Sequence, residues 1–364
     1  MNQYSIHPMV SLKLIEREVC INKEKIKKYE KRKIAIFAAG DYAQRFYKLL
    51  KNDLGIEVEY FIDNNEKYLD GRKVCNKQVM VKPWELDDNF KDNYFILIAT
   101  KAQWVKEISI QLDDVDVPYM SSDAYVATTL FENIKKINKL LDDDYSRSAY
   151  LGLMWYWLTH EITLCQSSNN QYFDVPQFSS SFSDIIADVG AYVGDSAEEY
   201  VKRSIGNCKI YAFEADENNC PALNLRIERL KKEWRMKEND IVVIPAAVGA
   251  KDGEIFFKNM EISMGSLISN SGEKSVKMIK LDNYFKDKMF PTIIKADIEG
   301  AELDFLNGSE NIIKEKKPKM AICIYHLPED LVKIPEKVIS FFNNYQFAVR
   351  THSSDYNDTV LYCY

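Results

Sequence analysis

Short, β-rich apolar runs alternate with helical stretches twice along this chain, and that alternation restricts it to parallel-sheet α/β architectures. The first series follows a charged helical leader at 12–33. It comprises a strand at 33–38 ending in Ala39-Gly40-Asp41, a helix at 42–50 and a strand at 57–62. A turn-rich stretch through Gly71, a short helix from Pro83, a strand at 94–99, a helix at 104–112 and a last strand at 115–120 complete it. The second series has strands at 185–188, 210–213, 241–244, 293–296 and 320–324, with helical or hairpin-like segments between them. Two late strands, 347–350 and 359–362, are joined by Ser, Asp and Asn turn residues and are expected to pair antiparallel at the edge.

A length of 364 residues lets each series bury its own core. The expected division is 1–121, a helical connector or lid at 122–182, and 183–364. Within the connector lie a helix at 130–141, the acidic break Asp142-Asp143-Asp144, a segment at 149–158 dense in Leu, Met, Trp and Tyr, and a polar stretch at 166–171. That aromatic segment reads as a packed helix, against the alternatives of a membrane-surface stripe or an acceptor-pocket wall. The net charge of −7 argues against a nucleic-acid partner, which needs clustered Lys and Arg to displace counterions. The seven cysteines, Cys20, Cys75, Cys165, Cys208, Cys220, Cys323 and Cys363, form no C-x-x-C pair, so neither a zinc site nor a disulfide framework is expected. With no signal pattern and no transmembrane run of about 20 apolar residues, the reading is a soluble, cytoplasmic protein.

The strongest chemical signal is Asp188-Val189-Gly190-Ala191-Tyr192-Val193-Gly194-Asp195-Ser196, where a strand turns into a helix. Gly190 and Gly194 remove side chains where the backbone turns and approaches a ligand, and the helix N-terminus favours a carboxylate or phosphate. Asp188 at the strand tip suits an ammonium, so the pair fits a cofactor bearing an amino acid; dinucleotide folds use the same physics. The next strand ends at Phe213-Glu214-Ala215-Asp216, where Glu214 is the expected ribose ligand and a surface acid is the plainer alternative. Asn218 and the Ala246-Ala247 pair belong to the same carboxyl edge.

A second signal is Lys295-Ala296-Asp297-Ile298-Glu299-Gly300-Ala301-Glu302. If the chain stays extended, Lys295, Asp297 and Glu299 share one face, with two carboxylates at the pocket mouth. They would take a proton or hold a divalent cation, Asp297 and Glu299 being the ligands; helix capping, with Lys295 as ion-pair partner, is the structural alternative. His326, one of four histidines, follows the strand at 320–324 and suits a general base, against a structural role.

On these residues, together with Leu281-Asp282-Asn283, Ala321-Ile322-Cys323-Ile324-Tyr325-His326 and Thr359-Val360-Leu361-Tyr362, the chain from about Gln171 onward resembles the FkbM-type family of class I methyltransferases. The resemblance implies an α/β fold of two Rossmann-like domains, the C-terminal one a seven-stranded sheet with an antiparallel edge pair. It also implies S-adenosyl-L-methionine as donor and an oxygen acceptor, often a sugar hydroxyl of a glycan or nucleotide-sugar. Asp188, Gly190, Ala191, Tyr192, Gly194, Asp195, Ser196, Glu214, Ala215, Asp216, Asn218 and Ala247 then fall on the cofactor side, and Lys295, Asp297, Glu299 and His326 on the catalytic side.

The N-terminal half is similar to the glycine-rich turn of Rossmann-like domains at Ala38-Ala39-Gly40-Asp41-Tyr42-Ala43, with alanine in the first and third glycine places. Asp63 stands where a ribose acid would, so Gly40, Asp41, Tyr42 and Asp63 outline a second nucleotide site, the alternative being a scaffold or homodimer-forming role. Two rival functions follow from that half: an NAD-dependent sugar oxidoreductase, or a non-catalytic module that binds a nucleotide-sugar.

Overall fold

The computed structural model describes residues 10–364 apart from 69–70, 72, 86, 88, 163–166, 180, 258–267 and 270–273, so Cys165 and Gln166 lie outside the described residues. Two compact units emerge, one of Ser11–Glu132 and Met154–Glu161, the other of Asn133–Leu153 and Ile162–Tyr364 with Val10. The expected connector at 122–182 is thus divided between them instead of standing as a body of its own.

The first unit is a six-stranded sheet in the order Lys73–Val74, Lys77–Met80, Val58–Ile62, Lys33–Phe37, Tyr94–Ile98, Tyr119–Ser121. All neighbours are parallel except the first two. Alternate strand residues feed two cores: Ile36 and Phe61 join Phe46, Leu49 and Leu50 of the helix Asp41–Asn52, whereas Phe37 and Ile62 join Val105 and Leu112 of the helix Ala102–Asp114. Two departures from the sequence reading have local causes. The last strand begins later than position 115 because the helix runs to Asp114 and Asp116 turns the chain with a φ of 55°. The pieces at 73–80 escape a pattern search because they are two and four residues long and rich in Lys and Gln.

The second unit holds a seven-stranded sheet in the order Phe347–Thr351, Thr359–Cys363, Lys319–Cys323, Ile293–Ala296, Ile185–Val189, Lys209–Glu214, Ile241–Pro245. Thr359–Cys363 runs antiparallel to both its neighbours, which gives the expected edge pair. A four-stranded sheet of Ala247–Val248, Lys274–Ile279, Gly253–Phe257 and Ile268–Ser269 occupies the region read as hairpin-like. The aromatic segment belongs to the helix Asp144–Thr159 and buries Tyr150, Leu153, Met154, Trp157 and Leu158, as a packed helix does, with Trp155 and Tyr156 half-buried. The start of that helix is fixed to the edge strand by Arg350, which grips Asp143 at 2.8 Å and Ser146 at 2.7 Å. Among the described residues no helix is long and apolar enough to cross a membrane.

Candidate active site

The parallel strands of the seven-stranded sheet end together at one edge, and the motifs converge there. After Val189 the chain turns through Gly190, whose φ is 80°, and a Cβ at that position would be driven into the carbonyl oxygen of Asp297. Glycine is therefore demanded twice, by the left-handed backbone and by the close approach of a neighbouring chain. Gly194, with φ 86°, begins the helix Asp195–Arg203, which has no side-chain cap. Its first-turn N–H groups are left for a ligand or water.

Glu214 closes the adjacent strand and is nearly buried, with 7% exposure. One oxygen accepts the Tyr192 N–H at 2.7 Å; the other accepts the Asp216 N–H at 2.7 Å and the Asn219 amide at 3.3 Å. Burial pushes its carboxyl up, and these donors pull against that shift. The oxygen that accepts from Tyr192 alone has a further lone pair, so the fixed acid can still receive a ribose hydroxyl. Tyr192 stands over this turn with φ 49° and 48% exposure, and Asp216 orients exposed Asn218 through its N–H at 2.8 Å and its amide at 2.9 Å. Ala191 and Ala247 are buried behind the turn and Ala215 is half-buried, so all three pack and none presents a polar group.

Asp188 departs from its expected role. It has no exposed surface, and its oxygens are taken up by the Ser196 hydroxyl at 2.6 Å and by Lys295 at 3.3 Å. An ammonium cannot reach it directly, and Asp195, exposed in the first helical turn, is the open acid nearby in the chain. Lys295 likewise departs from a catalytic role: it is buried, pairs with Asp188 and donates to the Gly190 carbonyl. Burial lowers its pKa, but Asp188 and Asp297 more than reverse this, and the ammonium acts as a fixed strut beneath the glycine turn.

The carboxylates on the opposite side are not arranged by an extended strand. The strand stops at Ala296, and Glu299 and Gly300 turn the chain with φ 56° and 87°, so Glu299 leaves the shared face and sits at the rim with 44% side-chain exposure. Asp297 remains inside, 22% exposed, accepting from Tyr172 at 3.1 Å and from Tyr325 at 3.4 Å. Burial raises its pKa, yet Lys295 and His326 outweigh this and keep it ionised.

The unassigned Glu302 takes the place expected for Glu299. It is fully buried, accepts the Ile298 N–H at 2.9 Å, and lies 3.1 Å from Nδ1 of His326. Nε2 of His326 faces Asp297 at 3.5 Å and Glu299 at 3.8 Å. Burial pulls the imidazole pKa down, but Glu302, Asp297 and Glu299 together raise it to about 10. The capping alternative for Asp297 and Glu299 is not realised, since the helix Glu302–Gly308 has Ala301 at its N-cap and no side-chain cap.

Tyr325 and Glu302 of this site lay inside the quoted motifs without an assigned role, and Tyr172 lay outside them. Tyr172 sits far from the motifs in the chain and is brought in by its N–H, which donates to the Tyr362 hydroxyl at 2.9 Å.

Residues 188–349 match the family described as the methyltransferase FkbM domain. This segment is an FkbM methyltransferase domain. Methyl transfer from S-adenosylmethionine is that family's chemistry. A solved methyltransferase FkbM from Methylobacillus flagellatus has the same fold over 94% of this chain and 93% of its own, at 21% identity and a TM-score of 0.57. A fibrillarin from Aeropyrum pernix, solved with bound S-adenosylmethionine, covers 50% of this chain and 67% of its own at 11% identity and a TM-score of 0.31, too slight a likeness to bear on function. No curated protein matches the chain significantly.

Outside the FkbM domain, the N-terminal turn repeats part of the same geometry. Ala38 takes φ 92° where a glycine was expected, and its N–H donates to Ile62, as the Gly190 N–H does to Phe213. Asp63 accepts the Ala39 and Asn65 N–H groups, both at 2.9 Å, and a Cβ at Gly40 would meet open space. Asp41 opens the following helix. Tyr42 donates to buried Asp123, whose other oxygen holds Nε2 of His160 at 2.8 Å. A cavity of about 630 Å³ opens at the opposite, amino edge of that sheet, away from these groups, and its walls include the Lys33–Glu59 and Lys77–Glu57 ion pairs.

Proposed function

We propose that the chain is an O-methyltransferase whose acceptor is a hydroxyl of a sugar, glycan or nucleotide-sugar, in the cytoplasm. The observation that supports it is the meeting of the two motifs: the Asp297 backbone abuts Gly190, so the acceptor-side carboxylate adjoins the donor turn. The donor-side residues fit S-adenosylmethionine through Glu214 for the ribose diol, the uncapped helix N-terminus at Gly194 for the carboxylate, and Asp195 for the ammonium. When bound, that cofactor supplies a methyl group already activated on a sulfonium.

The chain's own task is then alignment and proton removal. Asp297 takes both roles in preference to His326 because its side chain is the more open of the two, 22% exposed against 7%. Tyr172 and Tyr325 fix its two oxygens, so the lone pair offered to the hydroxyl has a set direction. Replacing Asp297 by Asn is expected to lower kcat for transfer of a labelled methyl group to a nucleotide-sugar about a hundredfold, with affinity for S-adenosylhomocysteine retained. Label found on nitrogen or carbon, or unchanged turnover, would refute the assignment.

A second reading concerns the N-terminal unit, and the observation favouring it is that Ala38 accepts the left-handed conformation reserved for glycine while Asp63 binds the turn. A nucleotide at Gly40, Asp41, Tyr42 and Asp63 would make that unit a nucleotide-sugar holder or, with NAD, an oxidoreductase module. Titration with NAD and with a uridine diphosphate sugar tests it; either affinity should fall in Asp63→Ala, and no binding of either excludes the site.

A further inference from the structure

Three carboxylates, those of Asp297, Glu299 and Glu302, face the one imidazole of His326. Lys295, the other buried cation nearby, is already paired with Asp188 and bonded to the Gly190 carbonyl. Burying a carboxylate is costly unless its oxygens are satisfied, and Glu302 in this cluster is fully enclosed.

Two further observations show unused ligand atoms. Oε2 of Glu302, in a residue with no exposed surface, has no hydrogen-bond partner. Both ring nitrogens of His326, in a side chain with 7% exposure, also lack one; Nδ1 is 3.1 Å from Glu302 but off the line that a hydrogen bond needs. One donor atom from each of Asp297, Glu302 and His326 lies within 4.8 Å of the others, a spread that an ion about 2.1 Å from each can close with small side-chain adjustments.

We propose that Asp297, Glu302 and His326 form a divalent cation site, with Glu299 at its rim able to add a fourth ligand. Two hard oxygens and one imidazole suit Mn2+ or Mg2+, and leave coordination positions for water or the acceptor. This rests on the acceptor-side reading of Asp297: an ion there would polarise the acceptor hydroxyl and so supply part of the activation that a carboxylate alone gives. Glu302 is then a ligand as well as the acceptor of the Ile298 N–H. The site differs from one built on Asp297 and Glu299 in drawing its second carboxylate from the following helix, because Glu299 is turned outward by its positive φ.

The test titrates the full chain with MnCl2, following free Mn2+ by electron paramagnetic resonance, with S-adenosylhomocysteine titrated into the same samples. A single saturable ion is expected, with affinity reduced at least about tenfold in Asp297→Asn and in Glu302→Gln. Retained S-adenosylhomocysteine binding in each variant shows that the fold persists; should Glu302→Gln fail that check, partly exposed Asp297→Asn decides. No saturable binding, or binding that both substitutions leave unchanged, overturns the site. Mn2+ binding without S-adenosylhomocysteine binding would keep the cation site and refute the donor reading; the reverse result would do the opposite.

Discussion

Gly190 joins the two halves of the site, because its missing side chain is what lets the Asp297 backbone lie against the donor turn. Gly190→Ala must adopt a left-handed backbone and displace a carbonyl, so it is expected to lose about 2 kcal/mol or more of stability together with cofactor affinity. A urea midpoint equal to that of the parent chain would show that the contact is not as tight as described. The same residue illustrates what was legible beforehand: glycine spacing after a strand predicts a turn, and Glu214 follows at the distance a ribose acid needs. Asp188 and Lys295 were legible as site residues but not in their roles, because a side chain's burial depends on neighbours from other strands. The roles of Tyr172 and Glu302 were hidden for the same reason. One is carried in by a loop contact to Tyr362, and the other is turned inward by a left-handed residue three places earlier.

At the level of elements, long buried strands were readable because their apolar runs have a single physical explanation, whereas pieces such as Lys73–Val74 are fixed only by pairing with a neighbour. The helix Asp144–Thr159 was readable as packed, but its tie to the edge strand was not. That tie is electrostatic. Burial raises the Asp143 carboxyl, but Arg350 and the Ser146 N–H and hydroxyl outweigh this and hold it below its ordinary value. A carboxylate depressed in the folded state contributes stability above its unfolded pKa of about 3.9 and loses it as pH falls through the lower folded value. The parent chain should therefore melt higher than Arg350→Gln at pH 7, and the gap should narrow below about pH 4. Melting curves that stay equally separated from neutral to acid pH would assign Arg350 a packing role only.

On the scale of the whole molecule, both units bring the turn after one strand to the acid that ends the next at the carboxyl ends of parallel strands, through Ala39 with Asp63 and Tyr192 with Glu214. That much follows from alternation and motif position. The division of the chain does not, since 133–153 packs with the C-terminal unit through contacts such as Arg350 with Asp143, and no composition change marks the boundary. The central claim is that the edge at Glu214 binds the methyl donor. Calorimetric titration of the full chain with S-adenosylhomocysteine tests it most directly, alongside Glu214→Ala. Saturable binding is expected, and the substitution should weaken it at least about tenfold, as loss of one or two hydrogen bonds to a carboxylate requires. Absence of binding to the parent chain, with NAD bound instead at a site abolished by Asp63→Ala, would contradict it and move the chemistry to the N-terminal turn.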